Sequence, residues 1–258
     1  MRNFLAFLWG WTIAILGGLI GLGGAEFRLP VLVSIFRYRT LQAVVINLII
    51  SLVTVIFSFL FRTGLTRFSI TTLYTGIILN ILAGSLCGAY IGANFATRLE
   101  ERKLTRIVVV FLLLLSFIII SHGVIAGLTI PQLPPLLRTV AGFLAGVVIG
   151  IFSSVVGVAG GELIIPTIVL LFSVDIKLAG TLSLAISIPT IIMGLIKYHR
   201  QHQLSKITTY RGFIAWMAAG SVFGSLMGSY LLRFVSSPFL HILLGIILFI
   251  SALRLLSH

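Results

Sequence analysis

The chain has 258 residues, 59% of them hydrophobic and 9% charged, with 18 Lys and Arg against five Asp and Glu. A soluble domain carries about 25% charged residues, so a mean hydropathy of +1.21 excludes that class and leaves an all-α polytopic membrane protein with no sizeable soluble domain. The formal charge of +13 sits singly or in small groups between apolar runs, without a basic tail or an aromatic-interleaved patch. It reads as the positive bias of membrane loops, not as a nucleic-acid surface.

In chain order, eight hydrophobic segments are expected at 3–36, 41–61, 70–96, 104–126, 139–173, 178–196, 207–233 and 238–256. All are read as helices, because a bilayer core admits only helices or closed barrels. The first run continues from Asn3 with no separate signal peptide. The first and fifth segments are too long for one simple crossing of about 30 Å, and glycines interrupt both. The connections are short and polar. The stretch "GLTIPQLPPLLR", residues 127–138, holds three of the seven prolines and is expected to join two halves, 1–126 and 139–258. The single cysteine, Cys87, excludes an intrachain disulfide and a multi-cysteine metal site. Cys87 is expected to pack among small neighbours.

A shift of 136 residues superimposes the halves without a gap. "GLGGAEFRLP" falls on "GVAGGELIIP", matching Gly21 to Gly157, Gly24 to Gly160, Glu26 to Glu162 and Pro30 to Pro166. Farther on, Gly84, Gly88 and Gly92 meet Gly220, Gly224 and Gly228. A constant offset over about 120 residues points to an internal duplication, a feature of secondary transporters. The glycines at four-residue spacing, with Ala6, Gly10 and Ala14 and their partners Gly142, Gly146 and Gly150, are expected to be close-packing helix faces.

The Gly-Gly-x-Glu-x-x-x-Pro element carries more. Paired glycines permit backbone conformations that other residues resist, and proline removes a donor unless it opens a helix. Each element is therefore expected to break its segment, ending one half-helix near Gly21 or Gly157 and starting another just before Pro30 or Pro166. Unpaired N–H groups at two such starts would make a mid-membrane cradle for an anion.

Two of the five acids, Glu26 and Glu162, occupy the same position in both elements. They either cap the half-helix starts or exchange protons during transport. Arg28 either attracts an anion or pairs with Glu26, and Ile164 stands opposite it. Asn47, Ser51 and Thr54, aligned with Ser183, Ser187 and Thr190, lie at spacings of four and three and share helix faces. They contact substrate or bond to helix carbonyls. The candidate substrate site is thus Gly23, Gly24, Ala25, Glu26, Arg28, Asn47 and Ser51 with Gly160, Gly161, Glu162, Ser183 and Ser187. Burial favours the protonated form of both carboxylates, and proximity to Arg28 opposes it at Glu26. Glu26 is therefore expected to stay ionised and Glu162, with Ile164 in place of the arginine, to be the protonated partner. The five histidines lie at ends or in loops. Neither a metal site, a cofactor motif nor a nucleophile–base arrangement is visible, which disfavours an enzyme.

"GGLIGLGGAEFRLPVLVSIF" and "SSVVGVAGGELIIPTIVLLF" resemble the two glycine-rich elements of the sulfite exporter TauE/SafE family of membrane transporters, and the resemblance covers the whole chain. It implies two similar halves of about four helices and export or exchange of small anions such as sulfite, thiosulfate or organosulfonates across the cytoplasmic membrane. Glu26 and Glu162 depart from the apolar or glycine residues of many relatives. An anion or small-solute channel is the alternative; its flux would not saturate.

Charge counting addresses topology. If every segment crosses once, the Lys and Arg divide nine against eight. If the first and fifth segments enter and leave on one side, they divide twelve against five, with Arg28 left out of both counts. The second division follows the positive-inside rule and predicts inverted repeats with both termini cytoplasmic.

Overall fold

The computed structural model describes residues 2–65, 74–95, 113, 116–117, 134–156, 160–200 and 209–256. Those residues are almost entirely helical. α1 spans Arg2–Ile20, α2 Ala25–Pro30 and α3 Thr40–Leu65, with a π-helical turn over Val31–Ile35 between the last two. α4 spans Thr75–Phe95, α5 Pro135–Val156, α6 Gly161–Phe172, α7 Ile176–Arg200, α8 Arg211–Leu231 and α9 Ser237–Leu256. Four of these, over Arg2–Ile20, Gln42–Gly64, Ile176–Arg200 and Arg211–Leu231, are long and apolar enough to cross a membrane. Most of the expected segment 104–126, residues 127–133 and Gly157 lie outside the described residues.

Both overlong segments are divided into a long and a short helix. The starts Ala25, Thr40 and Thr75 recur 136 residues later as Gly161, Ile176 and Arg211. The first segment folds back on itself. A Cβ on Gly24 would lie 2.8 Å from the Ile13 side chain, and one on Gly17 would lie 3.1 Å from the Gly23 and Gly24 backbone. From that depth α2 and its π turn, of 6 and 5 residues, return about 16 Å at 1.5 Å per residue. The return ends beside the first residues of α1, where the Arg2 guanidinium stands 5.1 Å from the Tyr38 ring centre. The fifth segment does the same. Gly160 abuts Ile149 and Ser153 of α5, and the Phe172 ring at the end of α6 covers Gly142.

One expectation is corrected by this geometry. The new half-helices begin at Ala25 and Gly161, well ahead of Pro30 and Pro166, which both lie inside helices. The glycines make the break. Gly21, Gly23 and Gly24 have φ of 98°, 80° and 72°, and Gly160 has 72°, values an L side chain resists. The prolines follow it. Immediately after Pro30 the helix widens to a π turn, closed by Phe36 N–H to Val31 C=O at 3.1 Å, a local adjustment that fits a residue with no amide proton to give.

The core is assembled across the two halves. α1 packs along α8, and its counterpart α5 packs along α4. Glycines set both distances: a Cβ on Gly220, Gly224 or Gly228 would strike the carbonyls of Phe7, Trp11 or Ile15, and one on Gly84 or Gly88 those of Phe143 or Val147. Gly146 and Gly150 abut Ile81 and Ser85 in return. The helical glycine Gly92 falls among residues whose surroundings are not described. Cys87 is not packed among these residues but exposed on the bundle surface. Gly88→Leu or Gly224→Leu is expected to force the pairs apart at a cost of about 1–3 kcal/mol or more. Size-exclusion profiles of the detergent-solubilised protein should show loss of the folded peak; normal profiles for both would refute close packing as the cause of the glycine spacing.

Candidate functional site

The two broken elements meet. A Cβ on Gly161, the first residue of α6, would lie 3.2 Å from the Leu22 carbonyl oxygen and 3.4 Å from Ser183 Oγ. Gly21 faces Gly180 of α7 so closely that neither could carry a side chain. Around this contact the structure gathers Gly23, Gly24, Ala25, Gly160, Gly161, Glu162 and Ser183, all buried. The N-caps Gly24 and Gly160 supply no side-chain cap, and Glu26 and Glu162 stand in the first helical turn, where negative charge is favoured.

Arg28 is fully buried, and its bonds explain the polar trio of α3. Its guanidinium donates to Ser51 Oγ at 2.9 Å, Thr54 Oγ1 at 3.1 Å, Asn47 Oδ1 at 3.4 Å and the Gly23 carbonyl at 3.4 Å. Asn47 in turn donates through Nδ2 to the Ala25 carbonyl at 3.0 Å, and Thr54 donates to Ile50 C=O at 2.8 Å. The trio therefore holds the start of α2 and its arginine. Arg28 is bonded to these neutral oxygens and not to Glu26. Both Glu26 carboxylate oxygens are buried without a hydrogen-bond partner among the described residues, although the Glu26 and Arg28 charges still act on each other.

The trio has a longer run than sequence inspection assigned to it. Asn47, Ser51, Thr54, Ser58 and Arg62 follow at spacings of four, three, four and four, all at 0–1% exposure. Arg62, counted with the loop charges above, is inside the bundle. It donates to the Leu19 carbonyl at 3.0 Å and to Thr181 Oγ1 at 3.4 Å, so its charge meets the carbonyl end of α1, where the helix dipole is negative. The signal was available: an arginine that continues a polar helix face shares the environment of that face.

The second trio is bonded differently. Ser183 Oγ is buried with no partner among the described residues. Ser187 is buried, and Thr190 bonds back to Ile186 C=O at 2.9 Å with Ser85 Oγ at 3.5 Å. Asn80 is remote from the breaks and donates to the Thr139 carbonyl at 2.9 Å. Of the histidines, His199 is exposed and His241 is buried on α9 with Nδ1 2.8 Å from the Ser237 carbonyl; His122, His202 and His258 lie outside the described residues.

Buried arginines and glutamates at the junction of two broken helices, within a bundle of membrane-length helices, mark a multi-pass membrane protein with a polar centre. The model of the sulfite exporter TauE/SafE family matches residues 1–119 and 142–258, and the chain belongs to that family of membrane transporters. No curated protein and no solved structure matches it.

Proposed function

We propose that the protein is a secondary transporter that exports small anions, sulfur-containing oxyanions or organosulfonates, across the cytoplasmic membrane in exchange with or together with protons. The observation that carries the reading is Arg28: a fully buried guanidinium at the helix break, bonded only to neutral acceptors. A charge so placed is costly to bury. Glu26 acts on it without a hydrogen bond, and a transiently bound anion would supply the charged hydrogen-bond acceptor that Arg28 lacks among the described residues. The substrate would be held by Arg28, Glu26 and Ser183 with the backbone of Gly23 and Gly161, once the junction of the two broken elements opens.

Proton coupling follows from the buried charges. Arg28 and Arg62 balance Glu26 and Glu162, so an arriving anion leaves an excess negative charge in a low-dielectric interior. Protonation of one carboxylate restores the balance. Glu26, whose oxygens have no partner among the described residues, is the group that gives up least by accepting the proton. The geometry therefore favours Glu26, whereas the sequence alone favoured Glu162.

The 136-residue correspondence is read as a duplication into inverted repeats, 1–126 and 139–258. The ends of α1, α7 and α8 that bear Arg2, Arg200 and Arg211 share one side, while Arg138, Lys177 and Arg233 share the other. With Arg62 taken out as buried, the twelve-to-five division becomes twelve to four, and the richer side is assigned to the cytoplasm. Reporter fusions after Arg106 and after Lys206 should both read as cytoplasmic; one periplasmic reading would restore parallel repeats.

The direct test is ligand binding and flux. Thermal-shift screening against sulfite, thiosulfate, sulfate, taurine and chloride should give a raised midpoint with the substrate class alone, since a ligand at a hundred times its Kd stabilises by about 2.7 kcal/mol. In proteoliposomes the flux of that anion should saturate. Flux linear in concentration would identify a channel instead.

A further inference from the structure

The two ends of the molecule differ where the halves correspond. At the Arg2 end, Phe36 stacks on Phe213 with ring centres 4.7 Å apart, and Tyr38 stacks on Tyr210 at 5.0 Å and Phe213 at 5.2 Å. The Arg2 guanidinium caps the cluster, 5.1 Å from the Tyr38 ring and 5.8 Å from that of Phe213. Phe36, Tyr38 and Phe213 are at most 9% exposed. Shifted by 136, these positions are Phe172, Val174, Tyr74, Ile77 and Arg138. Four of those five, Phe172, Tyr74, Ile77 and Arg138, line an open groove of about 800 Å³ between α4, α5 and the end of α6.

We propose that the Phe36, Tyr38, Tyr210 and Phe213 rings with Arg2 form the closed seal of the transport path, and that the groove at the equivalent positions is its open vestibule, through which a small anion approaches past Arg138. This rests on the transporter reading above. The chemistry of the two ends supports it. The Arg2 end has four rings that lock edge to face, an arrangement that aromatic quadrupoles favour. The Arg138 end has Val174 and Ile77 where the first has Tyr38 and Phe213, so two of the four rings have no counterpart at the equivalent positions. Related packings that differ in strength at the two ends of a pseudo-symmetric bundle bias it toward one open side. Among the described residues the rings close the end bearing Arg2, while the groove at the end bearing Arg138 stands open. Opening the first requires the Phe36–Phe213 and Tyr38–Tyr210 pairs to part.

Cysteine accessibility tests this. In a Cys87→Ser background reconstituted in vesicles of known orientation, single cysteines are placed at Thr139 in the groove or at Leu32, fully buried in the cluster that holds the seal rings. A membrane-impermeant maleimide is applied to each face. Thr139→Cys should label at least tenfold faster from the Arg138 face than Leu32→Cys labels from the Arg2 face. Adding Phe213→Ala should raise labelling of Leu32→Cys and lower that of Thr139→Cys. Should Phe213→Ala fail to fold, the reciprocal variant Val174→Tyr with Ile77→Phe supplies the missing rings and should slow labelling of Thr139→Cys. Rapid labelling of Leu32→Cys without further change, or rates unmoved in both variants, overturns the seal. The readout needs no substrate: saturable anion flux with unmoved labelling removes the seal alone, and reciprocal labelling without anion flux removes the transport reading alone.

Discussion

Arg28→Ala is expected to remove anion binding and saturable transport, with the midpoint shift produced by the substrate anion lost. The guanidinium makes four hydrogen bonds, and a bond to a charged group contributes about 1.5–3 kcal/mol. Loss of one such contact to substrate would weaken binding on the order of 10- to 100-fold. Removal also leaves Asn47 Oδ1 and the Gly23 carbonyl without their donor, so the unliganded protein should itself melt earlier. Arg28→Lys separates the two effects. It keeps the charge but loses the planar fork that reaches Ser51 and Thr54 together, so it should bind the anion weakly and restore part of the stability. Unchanged anion affinity in Arg28→Lys and in Arg28→Ala would reduce Arg28 to a brace between α2 and α3.

Glu26→Gln should flatten the dependence of transport on pH. If one carboxylate must be protonated for the anion to occupy the site, the rate falls as pH rises, by up to about tenfold per pH unit for a single proton. Gln holds the neutral form at every pH, so the variant should transport at a rate that pH no longer limits, and a proton gradient should no longer drive accumulation. Glu162→Gln provides the contrast. Glu162 is 4% exposed in the first turn of α6 and has interactions of its own, so its loss should affect folding more than the pH profile. Flux in proteoliposomes between pH 5.5 and 8.5, with internal pH recorded by an entrapped dye, distinguishes the outcomes. A flat profile in Glu162→Gln with a steep one in Glu26→Gln would return the proton to the second repeat. Steep profiles in both would remove proton coupling from these carboxylates.

Features that depend on local composition and spacing were legible along the chain. Membrane-length apolar runs could only become helices, because no water is present to satisfy an open backbone. Doubled glycines marked where both long segments break, since only glycine adopts the positive φ found at Gly24 and Gly160 without strain. Four-residue glycine rows announced close helix contacts, and the structure supplies carbonyls against Gly84, Gly88, Gly220, Gly224 and Gly228. Which surfaces those features meet became visible only in the packed bundle. α1 and α5 take their partners from the opposite half rather than from their chain neighbours, and a helix face carries no label for its partner. Arg28 lies two residues from Glu26 in sequence, yet its guanidinium turns to α3, 19 to 26 residues away. A long side chain finds its acceptors in space, not along the chain. Arg62 looked like a loop charge because it stands near the end of an apolar run. Burial against Gly180 and the Leu19 carbonyl arises only once α3, α7 and the end of α1 converge, and that convergence of separate helices is the physical reason the polar centre could not be read in full from the chain.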